Sequence, residues 1–62
     1  MRTYKQQLAS TLRRNEYKGC TGQVTEYTDR VVIEIFSQSN NGFPYARKTN
    51  TGSYLIASIE PS

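Results

Sequence analysis

Two different spacings of apolar residues divide the chain. Near the N-terminus Tyr4, Leu8 and Leu12 recur every fourth residue with Ala9 beside them, which places them on one face of a helix. That spacing predicts a helix over residues 3–16. Thr3 is its expected N-cap, and Gln6 stands three residues on, where the partner of a capping box belongs. Gln, Leu, Ala and Arg favour helix. Arg13 and Arg14 suit the negative end of the helix dipole, and Gly19 ends the segment. The apolar face is narrow, so the helix needs a sheet to dock on.

From Gly19 onward the period shortens to two. Gly19 and Gly22 permit a sharp bend, residues 23–27 form a first strand, 28–30 turn, and 31–36 form a second. Val31 to Ile35 is the most apolar and β-branched run in the chain, which makes it the expected central strand. Along it Val31, Ile33 and Ile35 point one way, and Val32, Glu34 and Phe36 the other. The first set is a core face. The second is mixed and predicts partial cover, by the helix or by a partner. Residues 37–44 read as a loop, with Asn41-Gly42 as a strong turn dipeptide and Pro44 holding Phe43 extended. A short third strand is expected over 45–48, a turn over 49–52, and a last strand over 53–60, with Leu55, Ala57 and Ile59 inward. Pro61 terminates it.

These elements make one domain, residues 1–62, with a helix over 1–16 and a sheet or barrel over 17–62. The predicted class is α+β, mainly β: an N-terminal helix followed by a small antiparallel twisted sheet, or an SH3-like barrel, of three to five short strands. Composition sharpens this. Only 35% of residues are apolar and there is no Trp, so the core is thin. A single Cys cannot close an internal disulfide, and without His there is no structural zinc site. Association is the remaining remedy, so a protein partner or a homo-oligomer is expected. No cofactor and no metal are implied. The first residues lack the apolar segment of a signal peptide, and no run approaches the roughly 20 residues of a membrane span. A lone Cys20 suits the reducing cytoplasm. The net charge of +3 and pI near 9.3 favour anionic partners.

Tyr17-Lys-Gly-Cys-Thr-Gly-Gln-Val24 followed by Val31-Val-Ile-Glu34 resembles the KOW pattern of SH3-like barrels in ribosomal proteins and transcription elongation factors: two glycines separated by two residues, then one further residue and a valine, then a strand of Val-x-Val-Glu type. The helix, bent strands and terminal Ala57-Ser-Ile-Glu-Pro61 segment are also similar to Sm-like barrels, although almost no residues are available here for the first strand of that fold. Both resemblances imply a small barrel that binds RNA or ribonucleoprotein.

Catalytic chemistry is largely missing from the residue set. Without His there is no imidazole base and no Ser-His or Cys-His pair. Cys20 lacks a base or a resolving thiol and reads as a small packed side chain. Glu26 and Glu34 could face each other across the hairpin, but solvated carboxylates paired with Arg30, Arg47 or Lys48 are the plainer expectation. No Gly-Lys-Ser/Thr follows Gly19 and Gly22, so there is no phosphate loop. The aromatics carry more. Tyr17, Tyr27, Phe43, Tyr45 and Tyr54 are interleaved with Lys18, Arg30, Arg47 and Lys48. Rings beside cations suit single-stranded nucleic acid, and Tyr also anchors protein interfaces. Some of these rings are instead expected to cap the core. The candidate binding residues are Phe43, Tyr45, Arg47 and Lys48, joined by Tyr17 and Lys18, with Arg13 and Arg14 beside Lys18 as a second candidate. The chain thus reads as a non-enzymatic binding module for RNA or other nucleic acid. The alternative is a protein-interaction module, a small subunit or an inhibitor docking on a larger enzyme.

Overall fold

The computed structural model describes residues 3–40 and 42–61. Helix α1 (Tyr4–Leu12) is followed by a 3-10 turn (Asn15–Tyr17) and four strands: β1 (Thr21–Glu26), β2 (Val31–Ser37), β3 (Arg47–Lys48) and β4 (Tyr54–Ile59). The strands form one antiparallel sheet in the order β1-β2-β4-β3. Among the described residues β1 and β3 are its two edges and do not pair with each other. The sheet is therefore open, and the barrel considered as an alternative does not close.

The helix starts as its sequence dictates. The Thr3 side chain accepts from the Gln6 N–H at 3.1 Å, and the Gln6 carboxamide accepts from the Thr3 N–H at 2.8 Å. It ends earlier than its propensity allows, with Arg13 as C-cap. Continued as a helix, the stripe of Leu8 and Leu12 would next bring Asn15 and Glu16 inward. The chain instead turns, Asn15 and Glu16 stay exposed, and Tyr17 is buried. Tyr4 is exposed, and the buried helical position is Thr11, whose hydroxyl donates to the Gln7 carbonyl at 2.9 Å. Back-bonding of this kind lets a polar residue occupy a core-facing site.

The expected central strand is central. Ile33 and Ile35 of β2 are 1% and 0% exposed, and full burial of such side chains contributes roughly 1.5–3 kcal/mol each. Tyr17 completes the buried cluster, and Leu8, Leu12, Cys20, Val24, Phe43, Ile56, Ala57 and Ile59 pack around it. The helix lies close over β1. A Cβ on Gly22 would fall 2.5 Å from Leu8 Cδ1, so glycine serves close approach there rather than a turn.

The last strand departs from simple alternation. Ile35 pairs with Ala57, but Phe36 pairs with Leu55, so the register slips between them and Ile56 is the extra residue of a bulge. Ile56 joins the core with Ala57 and Ile59. Leu55, expected inside, lies with Phe36 on the other face. The third strand is shorter than expected, because Pro44 and Tyr45 belong to a turn closed by Ala46 N–H to the Phe43 carbonyl at 3.3 Å. The turn over 49–52 is present: Gly52 has φ +89° and its N–H reaches the Thr49 carbonyl at 3.2 Å. Asn41 of the predicted Asn-Gly turn lies outside the described residues.

Candidate functional site

The candidate residues divide into buried and offered groups. Tyr17 and Phe43 stack on each other, with centroids 6.2 Å apart and planes 13° from parallel. Both belong to the core or its border, so these two rings serve packing. Their stack ties the segment that carries Lys18 to the segment that leads into Tyr45, Arg47 and Lys48. Tyr45 is 95% exposed, while Arg47 and Lys48 are exposed on the edge strand opposite Leu55 and Tyr54. Tyr45 and Arg47 line one shallow hollow of about 280 Å³ with Leu55, Ile56, Ala57 and Ser58.

Charge pairing leaves this edge free. Arg14 lies 3.7 Å from Glu16, with both side chains exposed, a surface pair worth about 0–1 kcal/mol. Arg30 sits over the Tyr27 ring, 5.2 Å from its centroid. Among the described residues Arg13, Lys18, Arg47 and Lys48 form no ion pair. The two hairpin carboxylates do not face each other: Glu26 is opposite Val31, and Glu34 is opposite Gln23. Nor does Glu34 pair with a cation among the described residues. Its Oε1 accepts from Thr25 Oγ1 at 2.6 Å and from Gln23 Nε2 at 3.1 Å.

The sheet face turned away from α1 holds a larger feature that the sequence pattern did not single out. A basin of about 660 Å³ has Phe36 and Leu55 among its lining, with Gln23, Glu34, Gln38 and Asn50 contributing polar groups. One wall is the β3–β4 turn, where the hydroxyls of Thr49, Thr51 and Ser53 interlock at 2.9–3.2 Å. The basin and the Tyr45–Arg47 hollow share Leu55 as a common wall. The only sequence signal was the mixed face of β2, which carries an aromatic beside a carboxylate where a solvated face would be polar. No group of three or more His, Cys, Asp or Glu among the described residues is placed to hold a metal ion. No helix among them is long and apolar enough to cross a membrane.

Fold and site together define a small α+β domain, one helix packed on one face of an open antiparallel sheet, with an aromatic and cationic edge. Comparison of the chain with protein-family models, curated proteins and solved structures finds no match.

Proposed function

We propose that the domain is a non-catalytic module that binds nucleic acid, RNA in first place, through its β3 edge. The observation that carries this is a 95% exposed Tyr45 sharing one hollow with Arg47, with Lys48 next on the same edge strand, none of them engaged by a carboxylate among the described residues. An exposed ring gives a base something to stack on, and the adjacent cations attract the backbone. The net charge of +3 and the resemblance of residues 17–34 to the KOW pattern support the same reading. Fluorescence anisotropy with labelled single-stranded RNA, single-stranded DNA and duplex DNA across a salt series tests it. Engagement of about three phosphates gives a log–log slope of roughly −2 on a single strand. Absence of binding to all three at about 50 mM salt, a condition that favours phosphate contacts, overturns it.

A second reading is favoured by one observation. Strand β3 pairs only with Tyr54 and Leu55, so the outer edge of Ala57–Ile59 has no neighbouring strand among the described residues. Such an edge accepts an added strand. A protein-interaction module would bind a partner with little salt dependence and no preference for nucleic acid.

A further inference from the structure

We infer that the nucleic-acid site extends from the β3 edge across the open sheet face, where the basin holds unpaired bases and Phe36 is their stacking platform. This rests on the nucleic-acid reading above and assigns that site a substrate class, single strands rather than duplex. The basin's chemistry divides a nucleotide into its parts. Among the described residues Glu34 is the one charged residue that lines it, so phosphate is repelled from the basin and drawn to Arg47, which lies across Leu55 from it. A base is neutral and flat and carries both donors and acceptors. The lining matches it with the half-buried Phe36 ring, the carboxamides of Gln23, Gln38 and Asn50, and the hydroxyls of Thr21, Thr49, Thr51 and Ser53.

The parts are also in the right order. Phe36 and Glu34 are two residues apart on β2, about 6–7 Å along one face. Leu55 stands beside Phe36 on β4 and is itself opposite Arg47 on β3. The sequence Phe36, Leu55, Arg47 therefore crosses three neighbouring strands from basin to cationic edge, with Tyr45 next to Arg47 at the far hollow. Glu34 Oε1 is already held by Thr25 and Gln23, and a carboxylate fixed in this way is an acceptor for an exocyclic base amino group. Duplex DNA hides base faces in its stack and presents only groove edges, so it has no ring to place on Phe36. The size of the basin lies within the roughly 300–1,000 Å³ typical of small-ligand sites.

The test compares the wild-type chain with Phe36→Leu, which removes the ring but keeps apolar volume, and Phe36→Tyr, which keeps the ring. Anisotropy is read with single-stranded RNA, single-stranded DNA and duplex DNA. Loss of one stacked base lowers single-strand affinity about 5- to 150-fold in Phe36→Leu, with the salt slope unchanged. Phe36→Tyr retains affinity, and duplex binds more weakly than either single strand. If Phe36→Leu fails to fold, NMR titration of the wild-type chain decides: single-stranded RNA is expected to shift the Phe36, Gln23 and Leu55 signals. Unchanged affinity in a folded Phe36→Leu, equal binding of duplex, or shifts confined to Tyr45, Arg47 and Lys48 overturns the inference and leaves the edge reading intact. No binding of any oligonucleotide overturns both.

Discussion

The seating of the helix on β1 gives the sharpest stability prediction, through Gly22. Its φ is not in the left-handed region, which among the described residues is occupied by Gly19, Gly42 and Gly52. Alanine is thus conformationally allowed, and the cost of Gly22→Ala is one of packing. The new Cβ would lie 2.5 Å from Leu8 Cδ1, 3.1 Å from the Glu34 carbonyl oxygen and 3.2 Å from Ile35 Cδ1. Comfortable carbon–carbon contact is about 3.5–4.0 Å, so the Leu8 methyl must retreat by roughly 1.0–1.5 Å. The Glu34 oxygen belongs to the backbone of the central strand and yields only a few tenths of an ångström. Overpacking of this kind costs about 1–3 kcal/mol. Reduced freedom of the unfolded chain returns about 0.4–1 kcal/mol, so a net loss of about 1–2 kcal/mol is expected. For a domain of this size that is about 4–16 °C in Tm. The decisive assay is a double-mutant cycle with Leu8→Ala, followed by urea or thermal unfolding under circular dichroism. With the Leu8 methyls gone, the remaining Glu34 and Ile35 contacts are offset by the reduced freedom of the unfolded chain, so Gly22→Ala should be close to neutral, which gives a coupling of about 1–2 kcal/mol, inside the range found for residues in contact. If Gly22→Ala costs the same in both backgrounds within about 0.3 kcal/mol, the two sites are independent, and the close approach of α1 to β1 is refuted.

Three further outcomes are expected. Ile33→Ala should lose about 2–5 kcal/mol, most of the roughly 3–9 kcal/mol available to 62 residues; unchanged melting would remove Ile33 from the core. Thr3→Ala should cost about 0.5–2 kcal/mol by opening the capping box, read by thermal unfolding, and Gln6→Ala should add little in that background because the two bonds act as one unit. The pair Arg47→Ala and Lys48→Ala should leave stability within about 0.5 kcal/mol of wild type, as exposed residues do. On single strands it should make the salt slope shallower by about 1.4, the contribution of two phosphates; an unfolded double variant would make the β3 segment structural.

The sequence by itself determined the elements whose causes are local. The capping box needs only Thr3 and Gln6 at the right spacing, and both reciprocal bonds form. The run from Val31 to Ile35 has no polar residue on one of its faces, so Ile33 and Ile35 are buried whatever covers them. Tyr45, Arg47 and Lys48 stand in a polar stretch between two turns, and all three are exposed. Tertiary structure decided the rest. Helix α1 stops at Leu12 because the core takes Tyr17 in preference to Asn15 and Glu16, a choice made by packing and not by propensity. Tyr17 and Phe43, similar to Tyr45 by residue type, are withdrawn from the surface because their rings fill the border of a thin core. The bulge at Ile56 exchanges Leu55 for Ile56 on the core face, and period-two alternation has no means of foreseeing a one-residue slip. That slip, together with a helix too narrow to cover both faces, leaves Phe36 and Leu55 half-buried in an open basin. The sheet stays open for a related reason: two residues of β3 are too few to carry the edge round to β1, and the face that α1 does not cover is left to solvent.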